Sequence, residues 1–208
     1  QRAIELDPKD AHPHNGIGNV HYQLGNYEAA LAAYQRAIEL DPKDAHPHNG
    51  IGNVQHDLGN DEAALAAYQR AIELGGLSNH ELAVVHNGIG NVQAQLGNYE
   101  AALAAYQRAI ELDPKAAVPH NGLGNVHHQL GNDEAALAAY QRAIELDPKD
   151  ASPHYGIGNV HQLLGEYEKA LTAYQKAVEL APERGVYRAP LASVLRKLGR
   201  ETEAQEQI

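Results

Sequence analysis

Asparagine and histidine are the residues whose placement in this chain could do chemistry. The run His-Asn-Gly-Ile-Gly-Asn-Val occurs at 14–20, 48–54 and 86–92, with close variants at 120–126 (Leu123 for Ile) and 154–160 (Tyr155 for the first Asn). It sets up four asparagine pairs, Asn15 with Asn19, Asn49 with Asn53, Asn87 with Asn91 and Asn121 with Asn125, and a fifth pair of Tyr155 with Asn159, each four residues apart. On a helix that spacing puts both side chains on one face. A carboxamide carries two donors and one acceptor oxygen, a match for the C=O and N–H groups of a peptide backbone. A row of such pairs could hold an extended chain with little regard to its side chains.

The 13 histidines invite a metal reading through His12-Pro13-His14, His46-Pro47-His48 and His127-His128. Adjacent or alternate residues on a helix diverge in direction, and no cysteine completes a tetrahedral set, so no metal site is expected. Catalysis finds less support. There is no Gly-x-Ser-x-Gly elbow, and Gly16-x-Gly18 lies inside a helical pattern, which removes a phosphate-cradling loop. Carboxylates such as Glu28 and Asp61 fall at turns or on solvated faces, with no isolated acid–base pair. A non-enzymatic protein without a cofactor is expected.

Composition narrows the partner. The formal net charge of −11 opposes binding to nucleic acid or anionic lipid. The absence of cysteine excludes a disulfide framework. There is no apolar run of about 18 residues to insert in a membrane, and no charged-then-apolar leader. A cytoplasmic protein, and a processed or trimmed start at Gln1, are the expectations.

The elements that must position the asparagines follow from a period. Gln-Arg-Ala-Ile-Glu-Leu begins at Gln1, Gln35, Gln69, Gln107 and Gln141, with a sixth form at Gln175, at spacings of 34, 34, 38, 34 and 34 residues. Within one unit, Asp10 can cap a first helix that has Pro13 in its first turn. Ile17, Val20 and Leu24 give it an apolar stripe, and Gly25 suits a left-handed end. A second helix, from Tyr27 to Leu40, turns Ala30, Leu31, Tyr34, Ala37 and Ile38 inward, and Asp41-Pro42 ends it.

These units resemble the tetratricopeptide repeat. Counting from Ala11, Gly18 falls at position 8, Leu24-Gly25 at 14 and 15, and Tyr27, Ala30, Tyr34, Ala37 and Pro42 at 17, 20, 24, 27 and 32. The resemblance implies an all-α, right-handed α-α superhelix, a solenoid of 34-residue helix-turn-helix units. A single array is expected over 1–208: a partial second helix at 1–10, repeats at 11–44, 45–78, 79–116, 117–150 and 151–184, and a capping repeat at 185–208. The third repeat carries four extra residues, Asn79 to Leu82. Because Ser78-x-x-Glu81 has the form of a capping box, a first helix longer by about one turn, with a local bend, is expected there.

In this family the first helices line a concave face with positions 2, 5, 9, 12 and 13. That assigns the groove to Asn15, Asn19, Asn49, Asn53, Asn87, Asn91, Asn121, Asn125, Tyr155 and Asn159, joined by His12, Tyr22, His46, His56 and His128. The arrangement is similar in kind to the asparagine ladder of the O-linked N-acetylglucosamine transferase superhelix. There the asparagine commonly sits at position 6, which here is Gly16 and its copies, a glycine that could admit a partner's backbone. The lysines of the chaperone-binding clamp are absent. Histidines at positions 4 and 11 are expected to pack between helices, whereas those at positions 2 and 12 would make the groove more positive as pH falls through about 6.5. The function implied is a scaffold that binds a protein or peptide on its asparagine face. The alternatives are end-to-end self-association and a substrate-recruiting arm of a larger enzyme.

Overall fold

The computed structural model describes residues 10–207; the expected helix fragment at 1–10 lies, apart from Asp10, outside them. Twelve α-helices follow one another: α1 (His12–Gln23), α2 (Tyr27–Leu40), α3 (His46–Asp57), α4 (Asp61–Leu74), α5 (Asn79–Gln95), α6 (Tyr99–Leu112), α7 (Ala117–Gln129), α8 (Asp133–Leu146), α9 (Ala151–Leu163), α10 (Tyr167–Leu180), α11 (Arg188–Lys197) and α12 (Glu201–Gln205). A 3-10 turn at Gly185–Tyr187 precedes α11. The all-α class and the helix-turn-helix repeat are as the period predicts.

Odd-numbered helices are the first of each repeat and even-numbered ones the second. The second helices are rich in Ala, Leu, Glu and Arg, the strongest helix formers. Their apolar residues fall on one side, so that Ala30, Tyr34 and Ala37 of α2 are buried. Arg36 pairs with Glu39 one turn on at 2.8 Å, on the solvent side. Each first helix ends at a glycine with left-handed φ, +72° at Gly25, where a side chain would be strained. Asp10 Oδ1 accepts the His12 backbone N–H at 3.0 Å and so caps the start of α1. Asp44 and Asp150 repeat that bond with His46 and Ser152.

The chain forms two compact units, residues 1–114 and 115–208. In the first, α1, α3 and α5 each pack on the second helix of their own repeat, α2 and α4 also pack on the first helix that follows, and α1 touches α3 as α3 touches α5. In the second, α7 with α8 and α9 with α10 pair in the same way, α7 touches α9, and α11 and α12 continue the stack on α10. There Leu191, Ala192, Val194 and Leu195 of α11 and Ala204 of α12 join Ala170, Leu171 and Tyr174 in one buried cluster.

The tyrosine at position 24 holds consecutive repeats together. Tyr34 of α2 lies between Gly18 of α1 and Gly50 of α3, and a Cβ on either glycine would come closer than 3.0 Å to its ring carbons. Tyr68 lies likewise between Gly52 and Gly88, and Tyr140 between Gly124 and Gly156. This corrects the expectation that the position-6 glycine admits a partner's backbone: the preceding tyrosine fills that space. Each glycine costs a helix about 1 kcal/mol relative to alanine, and burial of the aromatic ring, at about 1.5–3 kcal/mol, offsets it. Gly16 itself has open space around it.

Two further features bear on the sequence reading. The insertion does lengthen α5, to 17 residues against 12 in α1 and α3, and Ser78 and Glu81 form the expected reciprocal capping box. The leucine at position 14 departs from the expected apolar stripe. Leu24, Leu58, Leu96, Leu130 and Leu164 are 44–68% exposed, because each is the cap residue just before the turn glycine and has left the core-facing side of its helix.

Candidate functional site: the asparagine face

The paired asparagines stand on helices whose core side is fixed by glycine, valine and tyrosine. Val54, Val92, Val126 and Val160, one residue after the second asparagine, are 0–1% exposed. They anchor α3, α5, α7 and α9 so that the neighbouring asparagine points along the seam with the tyrosine. Tyr34 donates its hydroxyl to Asn19 Oδ1 at 2.8 Å. Tyr68 with Asn53, Tyr106 with Asn91 and Tyr140 with Asn125 do the same at 2.8 Å, and Tyr174 with Asn159 at 2.7 Å. Burial pushes Tyr34 and Tyr106 up to about 12 and raises Tyr68, Tyr140 and Tyr174 as well, so these hydroxyls are neutral donors at physiological pH.

The first asparagine of each pair behaves differently. The Oδ1 atoms of Asn15, Asn49, Asn87 and Asn121 are buried without a hydrogen-bond partner. No such orphan exists among their amide nitrogens in the described residues. In both rows the carboxamide oxygen is therefore turned inward, either bonded to tyrosine or enclosed. The tyrosine was invisible as part of this site from sequence. Its only signal is a constant separation of 15 residues from the asparagine it holds.

Tyr155 takes the place of the first asparagine in α9 but not its geometry. Its ring lies 5.8 Å from Tyr174 and 5.1 Å from Tyr187 and is committed to the core at that end of the second unit. Tyr22 packs with Tyr27, at a ring separation of 6.2 Å, against the first-unit core. Its phenol is pushed up to about 12 by burial and by the neighbouring Asp57 carboxylate.

The histidines assigned to the groove are matched with carboxylates. His12 meets Asp10 at 2.9 Å, His128 meets Asp133 at 3.1 Å, and His56 stands 4.0 Å from Asp61. His46 is held on both ring nitrogens, by Asp44 at 2.6 Å and Glu81 at 3.0 Å. Burial opposes its protonation, but the bonds to Asp44 and Glu81 outweigh burial and raise its pKa. Positive charge on His46 thus falls between two carboxylates. Among the described residues, no three His, Asp or Glu side chains come together as a metal cluster.

At position 4 the rings of His48, His86, His120 and His154 are half-buried, as expected of packing residues. Burial lowers their pKa, and the neighbouring Arg70, Arg108, Arg142 and Lys176 lower it further.

In the second unit the predicted groove positions converge on an open hollow of about 630 Å³. His128 of α7, Asn159 of α9 and Tyr174 of α10 line it, with Gln162, Leu163, Pro190 and Ser193. Gln162 and Leu163 stand at positions 12 and 13, where the register alone could have singled them out. Leu163 is 69% exposed where the other repeats carry Gln or Asp. The hydroxyl of Tyr174 is 2.7 Å from both Asn159 Oδ1 and Gln162 Oε1 and can donate to one at a time.

No helix of the described residues is long and apolar enough to cross a membrane.

No curated protein sequence matches the chain. Solved structures do. YrrB, described as a TPR protein with an unusual peptide-binding site, is similar at 27% identity and a TM-score of 0.61, over 89% of this chain and 94% of that one. The Cut9–Hcn1 hetero-tetramer of the APC/C superimposes with a TM-score of 0.86 at 19% identity, over 98% of this chain and 40% of that one. Pseudomonas aeruginosa PilF does so with a TM-score of 0.79 at 19% identity, over 95% of this chain and 88% of that one. The last two likenesses speak for the fold alone. The TPR repeat profile matches residues 18–59, 90–131 and 124–165, and tetratricopeptide repeat profiles match 45–74 and 151–184. With more than half of its length matched, the chain belongs to the tetratricopeptide repeat family.

Proposed function

We propose that this chain is a non-catalytic protein-interaction scaffold whose asparagine face binds an extended peptide. The observation that carries the reading is the Tyr–Asn hydrogen bond in each complete repeat, which holds the carboxamide in one orientation at no cost on binding. A preorganised row loses little rotamer entropy when a ligand arrives. The likeness to YrrB, whose description includes a peptide-binding site, supports the same reading. In the second unit the hollow beside Asn159 would receive one ligand side chain, with Leu163 as its apolar wall. Residues 185–208 would close the array as a cap.

Binding of a random octapeptide library to the wild type and to a variant with Asn19→Ala, Asn53→Ala, Asn91→Ala and Asn125→Ala tests the proposal. Selected peptides should bind the wild type and be lost from the variant. Equal retention by both would remove the asparagines from the site.

A further inference from the structure

We infer that Asn15 is a site of spontaneous covalent modification, where the backbone nitrogen of Gly16 closes on the carboxamide and converts it to aspartate and isoaspartate well ahead of its counterparts in the other repeats.

The chain carries four Asn-Gly dipeptides, Asn15-Gly16, Asn49-Gly50, Asn87-Gly88 and Asn121-Gly122. Each is preceded by histidine and followed by isoleucine, or by Leu123 in the last. In the first of them, hydroxide takes the Gly16 amide proton and the freed nitrogen attacks Asn15 Cγ. The new C–N bond closes a five-membered succinimide, and ammonia leaves with a proton from water, which restores the hydroxide. Water then adds to one of the two imide carbonyls and opens the ring, to aspartate or to isoaspartate. Nothing is oxidised or reduced, and water is the only co-reactant. Glycine suits the attack because it has no Cβ to crowd the ring. Since the reacting groups and their neighbours recur, a difference in rate between the pairs in the folded protein comes from the fold.

A closed helix blocks the step. The four pairs lie within α1, α3, α5 and α7. There the glycine N–H is bonded to the carbonyl four residues back, and helical ψ holds its nitrogen away from the carboxamide. Reaction requires the helix to open, and opening is easiest where the fewest apolar groups are buried. That helix is α1. Tyr34 covers Gly50 and Tyr68 covers Gly88, where an added Cβ would come closer than 3.0 Å to the tyrosine, whereas one on Gly16 would meet nothing within 4 Å. Gly122 is buried as well. One turn further on, Val20 is 55% exposed, but Val54, Val92 and Val126 are 0–1% exposed. Conversion at Asn15 would matter to the fold and the face together. Isoaspartate adds a methylene to the backbone and interrupts the ladder of α1, and aspartate puts a new carboxylate in the asparagine row.

The test is to hold the folded protein at mildly alkaline pH and map its peptides over time by mass spectrometry, with isoaspartyl methyltransferase labelling to count isoaspartate. Position 15 should convert at least about tenfold faster than positions 49, 87 and 121, a factor set by the ring burial that α1 lacks. In denaturing urea the four rates should converge. Gly16→Ala should slow conversion at position 15 and leave the other three unchanged. Tyr34→Ala uncovers Gly50 and should raise the rate at Asn49, while a slow Asn121 shows that the variant remains folded. Equal rates at the four pairs in the folded wild type, or a lead by Asn49, Asn87 or Asn121, overturn the inference. So does an Asn15 that stays intact in the folded protein while the urea-unfolded chain reacts.

Discussion

Tyr68 donates its hydroxyl to Asn53 Oδ1 across 2.8 Å while its ring rests between Gly52 and Gly88. One side chain thus joins two repeats and orients a surface amide. The packing that makes the solenoid and the chemistry that makes its face share the same atoms. Stability and binding should therefore respond together at some positions and separately at others.

Glycines at equivalent-looking helical sites should split. Gly52→Ala places a Cβ closer than 3.0 Å to the Tyr68 ring and is expected to destabilise by about 1–3 kcal/mol through overpacking. Gly16→Ala meets nothing within 4 Å and should stabilise by about 0.5–1 kcal/mol, the helix-propensity gain. Urea-unfolding midpoints of the two variants should move in opposite directions.

The two asparagines of a pair should also part company. Asn53→Ala strands the buried Tyr68 hydroxyl and should cost about 1–3 kcal/mol. Asn49→Ala removes an enclosed oxygen that has no partner and gains helix propensity, so it should be neutral or stabilising by about 0.5–1 kcal/mol. Thermal unfolding of both variants checks the contrast.

Much of this is legible in the sequence. The period, the turn glycines, the tyrosine core and the longer α5 all follow from local pattern and propensity. What escaped was set by neighbours distant in sequence. The position-6 glycine looked like an opening because the ring that fills Gly50 comes from Tyr34, in the preceding repeat. The carboxamide of Asn53 looked free to donate and accept because nothing near it in sequence reveals the Tyr68 hydroxyl. Tyr155 kept the groove register but lies beside Tyr174 and Tyr187, where packing claims it. His46 also meets Glu81, 35 residues on and in the next repeat, a partner that its own repeat does not reveal.

Acid should weaken the fold through the position-4 histidines. His48, His86, His120 and His154 have folded pKa values below the ordinary 6.5. Between the folded and unfolded values the unfolded chain binds more protons, so stability rises with pH there. Their contribution is fully present above about 6.5 and is lost as pH falls through the lowered values. His46, with its raised pKa, works in the opposite sense: its contribution is present below about 6.5 and is lost as pH rises through its folded value. The net expectation, four groups against one, is a urea midpoint that drops from pH 7.5 to 5. Changing His48, His86, His120 and His154 to Gln should flatten that drop, and an equally steep drop in the variant would place the cause elsewhere.

The most direct test of the central claim removes ligand donors without touching the tyrosine partners. Isothermal titration of a library-selected octapeptide should compare the wild type with a variant carrying Asn15→Ala, Asn49→Ala, Asn87→Ala and Asn121→Ala. An affinity loss of at least about tenfold is predicted, from donors contributing about 0.5–1.5 kcal/mol each, with an unfolding midpoint at or above that of the wild type. Unchanged affinity in a variant that remains folded would contradict the assignment of the asparagine face as the binding site.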